Sequence, residues 1–250
     1  MQSSNRYKNI VILTGSGISK ESGIPTFRDC GGLWEGYDIN QVASPEGFKK
    51  DPQLVYEFYN KRRKQLLSDE VAPNAAHKAL AHLEEWSKGE FSLITQNVDD
   101  LHERSGSVNV YHIHGELLSA RCMETNKAFG WENDLDHNSV NPRTGKKGTL
   151  RPDIVWFGEQ LRYRAEVEKA LQYCRIFISI GTSGTVYPAA GYVEEVQKNC
   201  ARTIEVNLEP SEISHHFDEH YYGPASQTVP QLIDDLTKNK NSYFKQISKD

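Results

Sequence analysis

Short apolar runs that break off in small or polar residues recur along this chain, and they constrain its fold more than any other feature. Ile10 to Leu13 stops at Thr14 and the turn Gly15-Ser16-Gly17, and Phe91 to Thr95 ends in Gln96-Asn97-Val98-Asp99. Val108 to Ile113 ends in His114-Gly115-Glu116, Ile176 to Ile180 in Gly181-Thr182-Ser183, and Thr203 to Val206 in Asn207-Leu208-Glu209. A run apolar at nearly every position is a strand buried on both faces, the habit of a parallel sheet covered by helices. In such a sheet the carboxyl ends of the strands line the ligand crevice. Polar strand ends can be ordinary loops, but tips that combine amide, hydroxyl, imidazole and glycine point to a binding site there.

The first of these turns leads into a segment of small and polar residues that could begin a helix, an arrangement in which backbone N–H groups meet an anionic phosphate. Glycine is expected at Gly15 and Gly17 because a Cβ would block close approach to a ligand. A dinucleotide fingerprint G-x-G-x-x-G would want a third glycine where Lys20 stands, so the loop does not read as an ordinary hydride-transfer loop.

Helices are expected after Ser44-Pro45 and after Asp51-Pro52, where an N-cap precedes proline at the first helical position. A helix from about Asn74 to Lys88 places Ala76, Ala79, Leu80, Leu83 and Trp86 on one stripe. Further helices are expected from Pro188 to about Lys198 and near Pro230 to Thr237. Residues 119–151 are polar, poor in aliphatics and read as an insertion or small subdomain.

At 250 residues the chain can bury one α/β domain carrying small insertions. A net charge of −5 argues against a nucleic-acid partner, and no apolar run approaches membrane-spanning length. The polar start MQSSNRYK does not read as a signal peptide, and four widely spaced cysteines suit reduced thiols. A cytoplasmic protein is expected.

Taken together, GSGISKESGIPTFRD (15–29), TQNVDDLH (95–102), HGE (114–116), VWFGE (155–159), GTSGTVYPAAG (181–191) and NLEPS (207–211) resemble the sirtuins, NAD-dependent protein lysine deacylases, in the family's order. The likeness covers about Ile10 to Leu236 and is greatest to the short bacterial deacetylase/desuccinylase branch. It implies a single catalytic domain over 1–250: a Rossmann-like parallel sheet with helices on both faces, plus a smaller inserted helical and degenerate zinc-ribbon part. The Rossmann-like part would comprise about 1–30, 90–118 and 152–250, and the insertions about 31–88 and 119–151.

The resemblance implies NAD as cofactor and acylated lysine side chains of proteins as substrates, giving nicotinamide, deacylated lysine and 2′-O-acyl-ADP-ribose. Gly15, Ser16 and Gly17 would face the pyrophosphate, and Thr26, Phe27 and Arg28 would cover the nicotinamide ribose. Gln96, Asn97 and Asp99 would hold nicotinamide and its ribose, with Asn97 and Asp99 in the catalytic set. Thr182 and Ser183 would meet phosphate or ribose, Asn207 and Glu209 the adenosine end, and Ala225 the adenine. Glu21, Trp34, Val98, Gly181 and Leu208 complete the expected cofactor contacts. His114 would be the base that frees a ribose hydroxyl, since imidazole titrates near neutrality. His112 shares its strand parity, so periodicity does not choose between the two; the family's HG pattern chooses His114.

Tyr59 and Arg62 share a helix face, and in the desuccinylase branch such a pair receives the distal carboxylate of succinyl- or malonyl-lysine. Val155, Trp156, Phe157 and Gly158 resemble the strand that pairs with the substrate peptide. The chain departs from the family at its zinc cysteines: only Cys122 lies in the insertion, so no metal is expected, with Phe129, Trp131 and Leu135 as an apolar plug in its place. A mono-ADP-ribosyltransferase on the same scaffold and a catalytically silent NAD or acyl-peptide sensor are the competing readings. A monomer without nucleic-acid or membrane partners is expected.

Overall fold

A computed structural model describes residues 9–26, 33–34, 36–88 and 91–238. Its elements, in chain order, begin with β1 (Ile10–Thr14), a 3-10 helix (Ser16–Ser22), β2 (Leu33–Trp34) and β3 (Tyr37–Asp38). Helices α1 (Ile39–Val42), α2 (Pro45–Lys50), α3 (Pro52–Leu66) and α4 (Ala75–Ser87) follow, then β4 (Phe91–Thr95), α5 (Leu101–Arg104) and β5 (Val110–His112). Next come β6 (Gly115–Cys122), β7 (Ala128–Gly130), β8 (Leu150–Ile154), α6 (Arg164–Tyr173) and β9 (Ile176–Ile180). The chain continues with α7 (Tyr192–Gln197), β10 (Arg202–Asn207), β11 (Glu219–Tyr222) and α8 (Ala225–Lys238).

Six strands form one parallel sheet in the order β11-β10-β9-β1-β4-β5. Alternation within the strands separates two cores. Ile10 and Ile12, with Leu93, Ile178 and Ile204, meet Leu80 and Leu83 of α4 and Leu232 and Ile233 of α8 on one face. Val11 and Leu13, with Ile94 and Phe177, meet Val167 and Leu171 of α6 and Val193 and Val196 of α7 on the other. The chain leaves β1 toward β4 and β5 and returns through β9 on the opposite side. The order therefore reverses between β1 and β9, which opens a crevice at their carboxyl ends.

Helices α1 to α3 and a three-stranded antiparallel sheet, β7-β6-β8, lie over this end. The caps expected at α2 and α3 form: Ser44 Oγ accepts from Gly47 N, and Asp51 Oδ1 accepts from Leu54 N. Between α3 and the small sheet, Tyr56, Ala120, Cys122, Leu135 and Leu150 make a separate core flanked by Phe129 and Trp131. Arg63 is buried and donates to the Leu117 carbonyl at 3.1 Å and to Asn60 Oδ1 at 2.7 Å, so its side chain bonds α3 to β6.

Three boundaries differ from expectation. β5 begins two residues late because Val108 N and Asn109 N donate to the Glu84 carboxylate instead of to a neighbouring strand. α8 begins at Ala225 with Pro230 inside it, because Glu21 caps it from across the fold, accepting from Ser226 N at 2.9 Å and Ser226 Oγ at 2.7 Å. β8 ends at Ile154, so Val155 to Gly158, expected to resemble a strand, follow it outside the strand. Among the described residues no helix is long and apolar enough to cross a membrane.

Candidate functional site

The crevice at the switch point is built by backbone touching backbone. Gly15 N donates to the Ile180 carbonyl and Gly17 N to the Gly181 carbonyl, each at 3.0 Å. A Cβ on Gly15 would stand 2.8 Å from the Gly181 oxygen, one on Gly17 2.7 Å from Gly181 Cα, and one on Gly181 2.6 Å from Ile18 N. The glycines are therefore required by the contact between the turns after β1 and β9. The Gly15 and Gly17 N–H groups thus already have carbonyl acceptors, while Gly15, Ser16 and Gly17 all line the cavity.

The tip of β4 carries the next set. Thr14 Oγ1 donates to Thr95 Oγ1 at 2.8 Å, and Thr95 Oγ1 also accepts from Asn97 N at 3.0 Å. Asn97 Nδ2 donates to the Gly15 carbonyl and to Ser19 Oγ, which leaves Oδ1 as the side chain's acceptor. Asp99 is buried and accepts from Ser19 Oγ at 3.0 Å and Leu101 N at 3.2 Å. Burial pushes its carboxyl up to about 6, against those hydrogen bonds. Ser19, which no expectation named, thus joins Asn97 to Asp99; it lies inside the motif 15–29 but reads locally as one more small polar residue.

His112 and His114 part company because β5 ends between them. His112 is buried, with Nδ1 3.0 Å from the Asn97 carbonyl and Nε2 2.8 Å from Glu103. His114 sits in the turn before β6, where strand parity no longer applies, and lines the cavity. Its Nδ1 lies 3.0 Å from the Gln96 carbonyl. A carbonyl only accepts, so Nδ1 carries the hydrogen and Nε2 the lone pair. Nε2 has no protein partner among the described residues. Burial holds the His114 pKa below the usual imidazole value, which favours the neutral, proton-accepting form.

Opposite lies the loop after β8. Val155 N donates to the His114 carbonyl and Phe157 N to the Ala43 carbonyl, so Val155, Trp156, Phe157 and Gly158 reach the cavity from a loop, not from a strand. Arg151 fixes that loop: its guanidinium stacks 3.5 Å from the Trp156 ring and grips Glu159 through two hydrogen bonds of 2.7 and 2.8 Å. Trp156 Nε1 donates to the Tyr59 hydroxyl at 3.0 Å. Tyr59 is fully buried behind this indole and does not line the cavity. Burial raises its pKa far above the ordinary phenol value. Arg62 does line the cavity, with its guanidinium 3.3 Å from the centre of the Phe58 ring and Nη1 donating to the Phe58 carbonyl.

At the far end Asn207 Nδ2 donates to the Thr182 carbonyl and Asn207 Oδ1 accepts from Leu208 N, so this amide joins the tips of β9 and β10. Thr182 Oγ1 pairs with Ser179, and Ser183 with Thr185. Ser16, Glu21, Thr26, Gln96, Val98, Leu208, Glu209 and Ala225 also line the cavity. Phe27 and Arg28 lie outside the described residues, as does the side chain of Trp34.

The resulting cavity measures about 1340 Å³ and runs from the β1 turn past His114 to the start of α8. Its polar groups fit a dinucleotide: hydroxyls at Ser16 and Ser183 along the glycine turns, and two acceptors, the Asn97 amide oxygen and the His114 Nε2. Among the described residues no group of three or more His, Cys, Asp or Glu side chains is placed to hold a metal ion.

The Sir2 family model matches residues 15–188. A NAD-dependent protein deacylase of Bdellovibrio bacteriovorus is 54% identical over 227 residues, which cover 91% of this chain and 96% of that protein. The crystal structure of a Sir2 homologue in complex with NAD is similar with a TM-score of 0.82 at 37% identity, covering 93% of this chain and 91% of the other. A Sir2 structure bound to a propionylated peptide reaches a TM-score of 0.75 at 28% identity, covering 91% and 93%.

Proposed function

Because the chain belongs to the Sir2 family, we propose that it removes acyl groups from protein lysines with NAD as co-substrate, yielding nicotinamide, free lysine and 2′-O-acyl-ADP-ribose. The observation that carries this reading is the polarity of His114, whose Nδ1 is committed to the Gln96 carbonyl while Nε2 stays basic at the cavity wall. Bound NAD supplies the ribose that parts from nicotinamide and takes over the acyl group. His114 Nε2 receives the proton of a ribose hydroxyl. Asn97, held by Gly15 and Ser19, presents Oδ1 as an acceptor that orients the nicotinamide end, with Asp99 braced behind Ser19. Trp156 and Phe157 wall the acyl-lysine side, and the Arg151–Glu159 pair keeps that wall in place.

We assign Arg62 the distal carboxylate of succinyl- or malonyl-lysine, since it lines the cavity near Trp156 and a guanidinium suits a carboxylate. Tyr59 supports this wall through the Trp156 indole rather than from the cavity surface. We take 119–151 and the part of the expected insertion 31–88 that precedes α4 as the smaller lobe, with α4 packed on the sheet of a Rossmann-like lobe, in a monomeric cytoplasmic enzyme; light scattering that gives the mass of one chain is the expected solution result.

The test is an assay of acetyl-, succinyl- and malonyl-lysine peptides side by side with NAD. Stoichiometric nicotinamide and acyl-ADP-ribose are expected. ADP-ribosylated protein, or NAD binding without nicotinamide release, would refute the reading.

A further inference from the structure

Two histidines hold successive carbonyls of the loop that follows β4. His114 Nδ1 lies 3.0 Å from the Gln96 carbonyl oxygen, and His112 Nδ1 lies 3.0 Å from that of Asn97. They differ at the second nitrogen. His114 turns its Nε2 to the cavity, whereas His112 Nε2 lies 2.8 Å from Glu103 Oε1, carried by α5.

A carbonyl and a carboxylate can only accept. A neutral imidazole has one N–H, so it could donate to one of these partners only by aiming a lone pair at the other. Just the imidazolium satisfies both. We infer that His112 is a positioning residue, an imidazolium pinned between Glu103 and the Asn97 carbonyl that holds residues 96–99 in their cavity-lining conformation. Loss of its proton to solvent removes one of its two hydrogen bonds and loosens that loop.

The surroundings agree with this assignment. His112 faces Glu103 and His102 from α5, Asp99 from the loop itself and Glu116 from β6. Burial opposes its charge, but Glu103 and the Asn97 carbonyl outweigh burial and raise its pKa above the ordinary value. His102 stays neutral, its pKa held well below that value by burial. A raised pKa means that His112 is charged below its midpoint and loses its proton as pH rises through it. The neighbouring His114 shifts the opposite way, so there is a window in which His114 is a free base while His112 is still a cation. The upper edge of that window would limit turnover.

The kinetic arm of the test rests on the deacylase reading; the spectroscopic arm does not. The variant is Glu103→Gln in the full chain, at a side chain 43% exposed and outside the cavity. In histidine-labelled wild type, NMR should place the His112 midpoint above the free value of about 6.5. The Val98 amide, which shares a peptide group with the Asn97 carbonyl, should titrate with the same midpoint. In Glu103→Gln that midpoint should fall by about 0.5–1 unit on losing a half-exposed carboxylate partner. The alkaline limb of kcat/KM should fall by the same amount. A His112 midpoint at or below the free value, or a Val98 amide that ignores it, overturns the assignment. So does a lower melting temperature with an unmoved alkaline limb, which is what a merely structural contact would give. If no acyl peptide is turned over, the proposed function fails, while the Val98 titration still decides the role of His112.

Discussion

Replacing Gly17 by alanine separates two reasons for a glycine at this turn. The new Cβ would stand 2.7 Å from Gly181 Cα, 2.9 Å from its oxygen and 3.1 Å from its carbonyl carbon, all backbone atoms that cannot swing aside. Relief requires moving the β1 turn away from the β9 turn, which also stretches the 3.0 Å bond from Gly17 N to the Gly181 carbonyl. Overpacking costs about 1–3 kcal/mol and a lost backbone hydrogen bond about 0.5–1.5 kcal/mol, so the sum is roughly 1.5–4.5 kcal/mol. At about 2–4 °C per kcal/mol for a chain of this size, the melting temperature should fall by roughly 3–18 °C. Urea and thermal unfolding without nucleotide measure this directly, because no ligand contact can then contribute. If Gly17→Ala unfolds within about 0.5 kcal/mol of wild type yet loses NAD affinity, the glycine serves ligand approach and the packing argument is wrong.

Three further outcomes are expected. Arg62→Met should lose roughly 10–150-fold in kcat/KM on succinyl-lysine peptides, the value of about 1.5–3 kcal/mol for a charge-assisted contact, with far less change on acetyl-lysine; equal losses would contradict the assignment. Asp99 titrates in the folded protein at about 6 against an ordinary 3.8, so its contribution to stability is full below about pH 4 and is lost as pH rises through about 6. About 2 units is roughly 3 kcal/mol, so Asp99→Asn should gain on wild type by that order between pH 4 and 7 in urea titrations, and a pH-independent difference would refute it. Tyr59→Phe leaves the buried Trp156 indole N–H without its acceptor and should cost about 1–3 kcal/mol in urea unfolding; an unchanged midpoint would show that this bond carries no weight.

What could be read from the residues alone follows from burial. The strands around β1 are apolar on both faces, so Ile176–Ile180 and Phe91–Thr95 announce themselves without any partner in view. β11 at the sheet edge, Glu219–Tyr222, alternates between half-buried and exposed residues and offers no such run. Helix α6 was not legible, because much of its surface is charged and only Val167 and Leu171 are buried. The site's residue types were visible at the strand tips, but their pairings were not. Glu21, which lines the cavity, also caps α8 from 205 residues away, a pairing that no local pattern in the sequence shows. Tyr59 and Arg62 share a helix face in the sequence, yet Trp156 stands between the phenol and the cavity. His112 and His114 look equivalent by alternation, and only the end of β5 separates them.

The central claim is that His114 accepts the ribose proton, and one substitution measures it. His114→Ala, assayed with an acylated lysine peptide and NAD, should lower acyl removal by about 10²–10⁴-fold while NAD affinity stays within a factor of a few. Turnover kept within about tenfold of wild type would contradict the account.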